Sequence, residues 1–176
     1  TAINQSQAEL SRVAEDLTLL IETANAPIFG IDADGMVNEW NRKAAEITGF
    51  SRDEVMGQDL VSKFITAEYQ EAVGDVLQKA LAGQATANFE FPLYTKESER
   101  VEVLLNATSR VDVDGKVVGV VGVGQDITEM SRGKQELRQV ANDLTRLIDT
   151  ANAPILGIDA NGMVNEWNKK AAQITG

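Results

Sequence analysis

The chain has 176 residues, 43% of them hydrophobic, and carries a net charge of −11. That is enough apolar material for a packed core, and an acidic surface repels nucleic-acid phosphates and anionic lipid heads, so no nucleic-acid partner and no direct membrane binding are expected. Cysteine and histidine are both absent, which removes disulfides, thiolate metal sites, a cysteine nucleophile and the commonest general base, zinc ligand and haem ligand.

In chain order, residues 1–24 form an N-terminal amphipathic helix. Leu10, Val13, Leu17, Leu20 and Ala24 recur at alternating spacings of three and four, a heptad seam. Pro27 ends the helix. The run Ile28–Asp32 leads into the turn Ala33-Asp34-Gly35 and out through Met36–Trp40, a hairpin signal. Asn41 is placed to cap a short helix that Gly49 closes, and Ser51 with Glu54 reads as a capping box. Residues 66–81 form a longer helix with Val73, Val76, Leu77, Ala80 and Leu81 inward. Three strands follow at 86–95, 100–111 and 117–127, the last two joined by a turn at Asp114-Gly115. Helix returns over 131–150, where Leu137, Val140, Leu144, Leu147 and Ala151 repeat the first seam.

The chain repeats itself. Residues 10–49 and 137–176 match at 31 of 40 positions, at a constant offset of 127. The organisation is therefore a helix (1–24), a complete module (25–128), a linker helix (129–150) and the opening of a second module (151–176). The element order implies an α+β fold, a five-stranded antiparallel sheet with helices on one face, flanked by amphipathic linker helices.

Residues 25–60, NAPIFGIDADGMVNEWNRKAAEITGFSRDEVMGQDL, resemble the opening of a PAS domain. Residues 112–128, DVDGKVVGVVGVGQDIT, resemble its closing hairpin, with the family's Asp-Ile-Thr ending at Asp126, Ile127 and Thr128. The likeness is nearest to the tandem regulatory PAS repeats of phytochrome-type and PAS-containing histidine kinase proteins. It implies a PAS fold and a sensory or signal-relay module, not an enzyme. Its output domain would lie outside this chain.

Flavin-binding light sensors of the family use a cysteine in a Gly-x-x-Cys-Arg-Phe segment. Leu60 stands at that position in Gly57–Val61, so a flavin adduct is excluded. Haem-binding members commonly use a histidine, and none exists. No cofactor is expected. No nucleophile–base pair, metal-ligand cluster or phosphate loop can be assembled. Trp40 and Trp167 read as core or interface residues, with chromophore stacking the other reading. Asp32, Asp34, Asp112 and Asp114 read as turn residues bonding the local backbone, with a metal site the other reading. Gly119, Gly122 and Gly124 precede no helix, and suit close approach to the sheet.

Two functions stay open. One is dimerisation and signal relay through Leu10, Val13, Leu17, Leu20, Leu137, Val140, Leu144 and Leu147, with Asp126, Ile127 and Thr128 at the junction to the linker. The other is a small-molecule sensor with a pocket between sheet and helices, lined by Ile28, Ile47, Val61, Phe64, Leu77, Leu105 and Val121. The expected partners are a second copy, as a homodimer or higher oligomer through the linker helices, and a downstream output domain. Asp126 is expected to pair with a basic residue such as Arg132 or Lys134, and residues 151–176 to pack against another chain. No apolar run approaches the roughly 18 residues of a membrane span, and a cytoplasmic location is expected.

Overall fold

The computed structural model describes residues 2–176; Thr1 lies outside them. The chain divides into two compact units, Thr1–Thr128 and Glu129–Gly176.

In the first unit, α1 (Ala2–Thr23) precedes the hairpin β1 (Ile28–Asp32) and β2 (Val37–Trp40). Four helices follow: α2 (Arg42–Thr48), α3 (Arg52–Val55), α4 (Leu60–Phe64) and α5 (Ala67–Leu81). Then come β3 (Thr86–Tyr94), β4 (Arg100–Val111) and β5 (Val117–Asp126). The five strands form one antiparallel sheet in the order β2-β1-β5-β4-β3. The first hairpin thus joins the meander of β3–β5 through a β1–β5 pairing, Ile28 opposite Val123 and Asp32 opposite Gly119. One face of the sheet is the core. Ile31, Phe91, Val103, Leu105, Ala107 and Val120 alternate onto it and pack with Val55, Leu60, Val73, Val76, Leu77 and Ala80 from the helices.

Local chemistry explains the boundaries. Asp32 Oδ1 accepts from Asp34 N and Met36 N, and Asp112 Oδ1 does the same for Asp114 N and Lys116 N. Both hairpin aspartates serve their turns. The Ser51–Glu54 capping box forms, with Ser51 N donating to Glu54 Oε2 at 2.8 Å. The short helix α4 has no periodic signature in the sequence. Asp59 opens it by accepting from Ser62 N at 2.7 Å. The linker helix α6 (Thr128–Thr150) begins three residues before the expected start at 131. Asp126 Oδ1 accepts from Thr128 N at 2.9 Å and from its hydroxyl at 2.6 Å, satisfying that turn early.

Asn41 is the tightest polar junction. Its side chain is 0% exposed. Oδ1 accepts from Ile28 N and Ala44 N, and Nδ2 donates to Ile21 O and Ala26 O, all at 2.9 Å. One amide thereby fastens the end of α1, the start of β1 and the first turn of α2.

The second unit repeats this corner. Beyond α6, the strands β6 (Leu156–Ile158) and β7 (Val164–Trp167) pair antiparallel, and α7 (Lys169–Thr175) follows. Asn168, also 0% exposed, accepts from Ile155 N and Ala171 N and donates to Ile148 O and Ala153 O. Its apolar face is another matter. Trp40 is 5% exposed whereas Trp167 is 44% exposed, because no counterpart of β3–β5 lies behind the second hairpin within residues 151–176.

Asn41→Ala leaves these backbone groups unpaired in a buried site. It is expected to lower stability by about 2–4 kcal/mol, read from urea unfolding. A loss under about 0.5 kcal/mol would be that of an ordinary surface substitution.

Candidate functional site

Between the core face of the sheet and helices α2, α4 and α5 lies an apolar cavity of about 60 Å³. Pro27, Phe29, Trp40, Ile65 and Phe91 contribute to its wall. A cavity of about 150 Å³ admits a benzene ring, so this one has room for roughly two heavy atoms. A flavin ring system or a haem is several times larger.

Glycines let the sheet close on this space. A Cβ on Gly122 would come within 2.2 Å of the Phe29 ring, so the aromatic ring lies flat over β5 only because residue 122 has no side chain. Leu60 lines the cavity. Trp40 lines it too, and its indole Nε1 donates to Phe50 O at 3.1 Å. Trp40 is thus a hydrogen-bonded core residue.

Of the residues expected around a pocket, Ile47 and Leu105 line the cavity. Ile28 and Val121 do not. Their strand neighbours Phe29 and Val120 belong to the core and its packing shell, so alternation turns Ile28 and Val121 to the opposite face. Val61 and Phe64 pack against the core, yet the cavity wall is made by Leu60 and Ile65, one residue away in each case. Leu77 is buried deeper in the core, 3% exposed, and off the wall.

A second hollow, a groove of about 560 Å³, lies where β4 and β5 run past the first residue of β1. Asn25, Lys43, Asn106, Gln125 and Asp126 give it a polar surface.

Electrostatics tie the helices to the sheet. Arg52 Nη1 donates to Glu22 Oε1 at 3.0 Å, Glu39 Oε1 at 2.9 Å and Trp40 O at 3.0 Å. Glu22 Oε2 in turn accepts from Arg42 N at 3.1 Å. The last turn of α1 is therefore bonded to this region three times, through Asn41, through Arg52 and through the Arg42 N–H. On the far side, Lys96 in the β3–β4 loop pairs with Glu54. The Lys96 ammonium, with the backbone and hydroxyl bonds from Ser51, holds the Glu54 carboxyl down at about 2. Asp59 is also held below its ordinary value, chiefly by the bond from Ser62 N.

At the junction, Ile127 is buried and its N–H donates to Glu102 O at 2.9 Å. Thr128 Oγ1 accepts from Glu102 N at 3.0 Å while donating to Asp126. Asp126 is bonded to Thr128, and the expected pairing with Arg132 or Lys134 is not formed; a side chain two residues away reaches the carboxylate first. The two bonds to Glu102 carry no signal in the sequence, because only the strand register brings β4 beside Ile127 and Thr128.

The seam residues Leu10, Val13, Leu17 and Leu20 on α1 are all more than half exposed, as are Leu137, Val140, Leu144 and Leu147 on α6. Among the described residues, no group of three or more His, Cys, Asp or Glu is placed to hold a metal ion, and no helix is long and apolar enough to cross a membrane.

Glu54 links pH to stability. Its carboxyl titrates lower in the folded chain than the ordinary 4.5, so its contribution is full above about pH 4.5 and is lost as pH falls toward 2. In Glu54→Gln the melting temperature is expected to fall less steeply than wild type over that window, by calorimetry at stepped pH. Parallel curves would mean that the Lys96 pairing is absent in solution.

Comparison with known proteins bears on this geometry. The family profile described as PAS fold matches residues 15–127 and again residues 142–176. Phytochrome B of Sorghum bicolor is 39% identical over 175 residues, covering 96% of this chain and 15% of the phytochrome. The chain thus spans about a sixth of that relative's length. Among solved structures, a PAS domain from Colwellia psychrerythraea superposes with a TM-score of 0.60 at 18% identity, covering 66% of this chain and 98% of that one. A sensory box histidine kinase/response regulator from Burkholderia thailandensis gives 0.57 at 17% identity, covering 74% and 98%. At those identities the likeness is one of fold.

Proposed function

The chain belongs to the PAS family of non-catalytic sensory modules, and on that premise we propose that it is a signal-relay unit. It pairs with a second copy through α1 and α6 and passes a change in the first module to an output domain outside this chain. The observation that carries the reading is the pair of matched, exposed seams on two helices joined directly to the module.

The flanking residues support a parallel pairing. Glu9 and Asp16 directly precede Leu10 and Leu17, as Glu136 and Asp143 precede Leu137 and Leu144. In a parallel pair these acids face Ala14 and Ile21, or Ala141 and Ile148, of the other helix. In an antiparallel pair they face one another and repel. Each Leu or Val covered contributes about 1.5–3 kcal/mol. Signal transfer is a rotation or register change of the paired helices. It reaches α1 through Asn41 and Arg52, and α6 through the Asp126–Ile127–Thr128 junction. Residues 151–176 expose Leu156, Ile158, Met163, Val164 and Trp167, and the same reading has another chain segment cover them. The apolar cavity supports a second role for the first module, as a sensor of a small molecule. The cytoplasm suits a chain without cysteine.

Leu17→Asp with Leu20→Asp is expected to weaken self-association by about a thousandfold or more, leaving a monomer in sedimentation velocity. A wild type already monomeric at high micromolar concentration would overturn the pairing. At the junction, Asp126→Ala is expected to cost about 1 kcal/mol and to speed amide exchange in the first turn of α6 while core amides keep their protection. A stability loss as large as that of a core truncation would contradict a junction role.

A further inference from the structure

The turns that close the two equivalent hairpins differ by one residue. The first unit turns at Asp34-Gly35 and the second at Asn161-Gly162. None of the other asparagines in the chain precedes a glycine. That pair carries a reaction that other asparagines carry poorly. The side-chain carboxamide is an electrophile, and the next backbone nitrogen reaches it by closing a five-membered ring. A Cβ on the following residue obstructs the approach, and glycine has none.

The surroundings leave the pair open. Asn161 and Gly162 are both exposed. Among the described residues, no atom lies within 4 Å of where a Cβ on Gly162 would stand. The exposure belongs to the turn itself. In the first unit α4 lies beside the matching turn, with Leu60 N donating to Gly35 O at 3.2 Å, and Asp34 is still exposed. Gly162 N donates to Asp159 O at 3.0 Å, while Asp159 Oδ1 accepts from Asn161 N at 2.8 Å and Met163 N at 2.9 Å. These bonds hold the turn, so the Gly162 nitrogen is released when the turn opens. Opening is easy here: the two strands have three and four residues, and a lone hairpin is marginal in water.

We propose that Asn161 is a site of spontaneous deamidation, with water as the co-reactant. Gly162 N gives its proton to hydroxide and forms a bond to Asn161 Cγ. The bond from Cγ to Nδ2 breaks, and ammonia leaves. Water then opens the cyclic imide. Breaking the ring bond from Cγ to nitrogen gives aspartate. Breaking the bond from the backbone carbonyl carbon to nitrogen gives isoaspartate, whose backbone runs through Cβ and Cγ. Nothing is oxidised or reduced: asparagine and water become aspartate, or its isomer, and ammonia. The aspartate product matches Asp34 of the first unit and adds one negative charge to the −11 of the chain. The isoaspartate product lengthens the turn by one backbone atom and disturbs the pairing of Ile158 with Val164 that the turn sets. Loss of ammonia makes the change one-way, so the second hairpin accumulates it with time.

The test is peptide mapping by mass spectrometry of the intact, folded chain over a series of incubation times in mildly alkaline buffer. Asn161 is expected to gain about 1 Da at least about tenfold faster than any other asparagine. Part of the product is expected to be isoaspartate, detected by enzymatic methylation. Asn161→Gln keeps the backbone of the turn but requires a six-membered ring, and should slow the gain at least about tenfold. Asp159→Ala removes the acceptor that holds Asn161 N and Met163 N, and should speed the gain at Asn161. An Asn161 that stays intact in the folded chain while converting in urea would overturn the proposal. So would a gain that appears first at another asparagine, a product free of isoaspartate, or an unchanged rate in either variant.

Discussion

The buried carboxamide of Asn41 is the constraint around which the module is arranged. It accepts from two N–H groups and donates to two carbonyls, so its hydrogen-bonding capacity is spent on backbone. Those partners come from α1, the segment before β1, β1 itself and α2. An aspartate in its place lacks the two donors, and a serine or threonine can cap α2 without spanning the rest. The same four bonds recur at Asn168 although the second hairpin is otherwise exposed. This corner therefore forms without a completed core. It is a local device that ties the helix preceding each hairpin to that hairpin and to the helix after it.

Around that corner the polar contacts are few and directional, while the rest of the interior is packing. Arg52 adds a second link from α1 to β2 by touching Glu22, Glu39 and the Trp40 carbonyl. At the other end of the module Ile127 is buried and Thr128 is bonded to Glu102 of β4. Both helices that bear a leucine seam are thus anchored to the sheet by their module-proximal ends, and their seams are left uncovered. The proposed relay draws on this geometry, since packed interiors transmit displacement.

The interior is shaped as much by missing side chains as by those present. Gly122 accommodates the Phe29 ring, and Gly124 opens the wall toward the groove. Leu60 and Trp40 line the space that remains. The small cavity left is apolar, and the neighbouring groove is polar.

Much of this was legible in the residues. The repeat, the two Asp-Gly turns, the capping box at Ser51, the cap at Asn41 and the order of strands and helices each rest on local chemistry or on periodicity, which a chain carries wherever it folds. The seams of α1 and α6 were equally plain, being five apolar residues at helical spacing. Which face a strand turns inward was not. Val117 to Val123 is valine and glycine throughout, with no polar residue to mark the wet side, so Val121 and Ile28 were read on the wrong face. Helix α4 is too short for a period, which left Val61 and Phe64 indistinguishable from Leu60 and Ile65. The donors of Asn41, the bonds of Arg52 and the bond of Thr128 to Glu102 reach across 12 to 30 residues, a distance at which spacing carries no signal. The hairpin and its flanking helices bring the Asn41 groups together, as they do at Asn168, whereas only the β4–β5 register, set by the packing of the whole sheet, brings Thr128 within reach of Glu102.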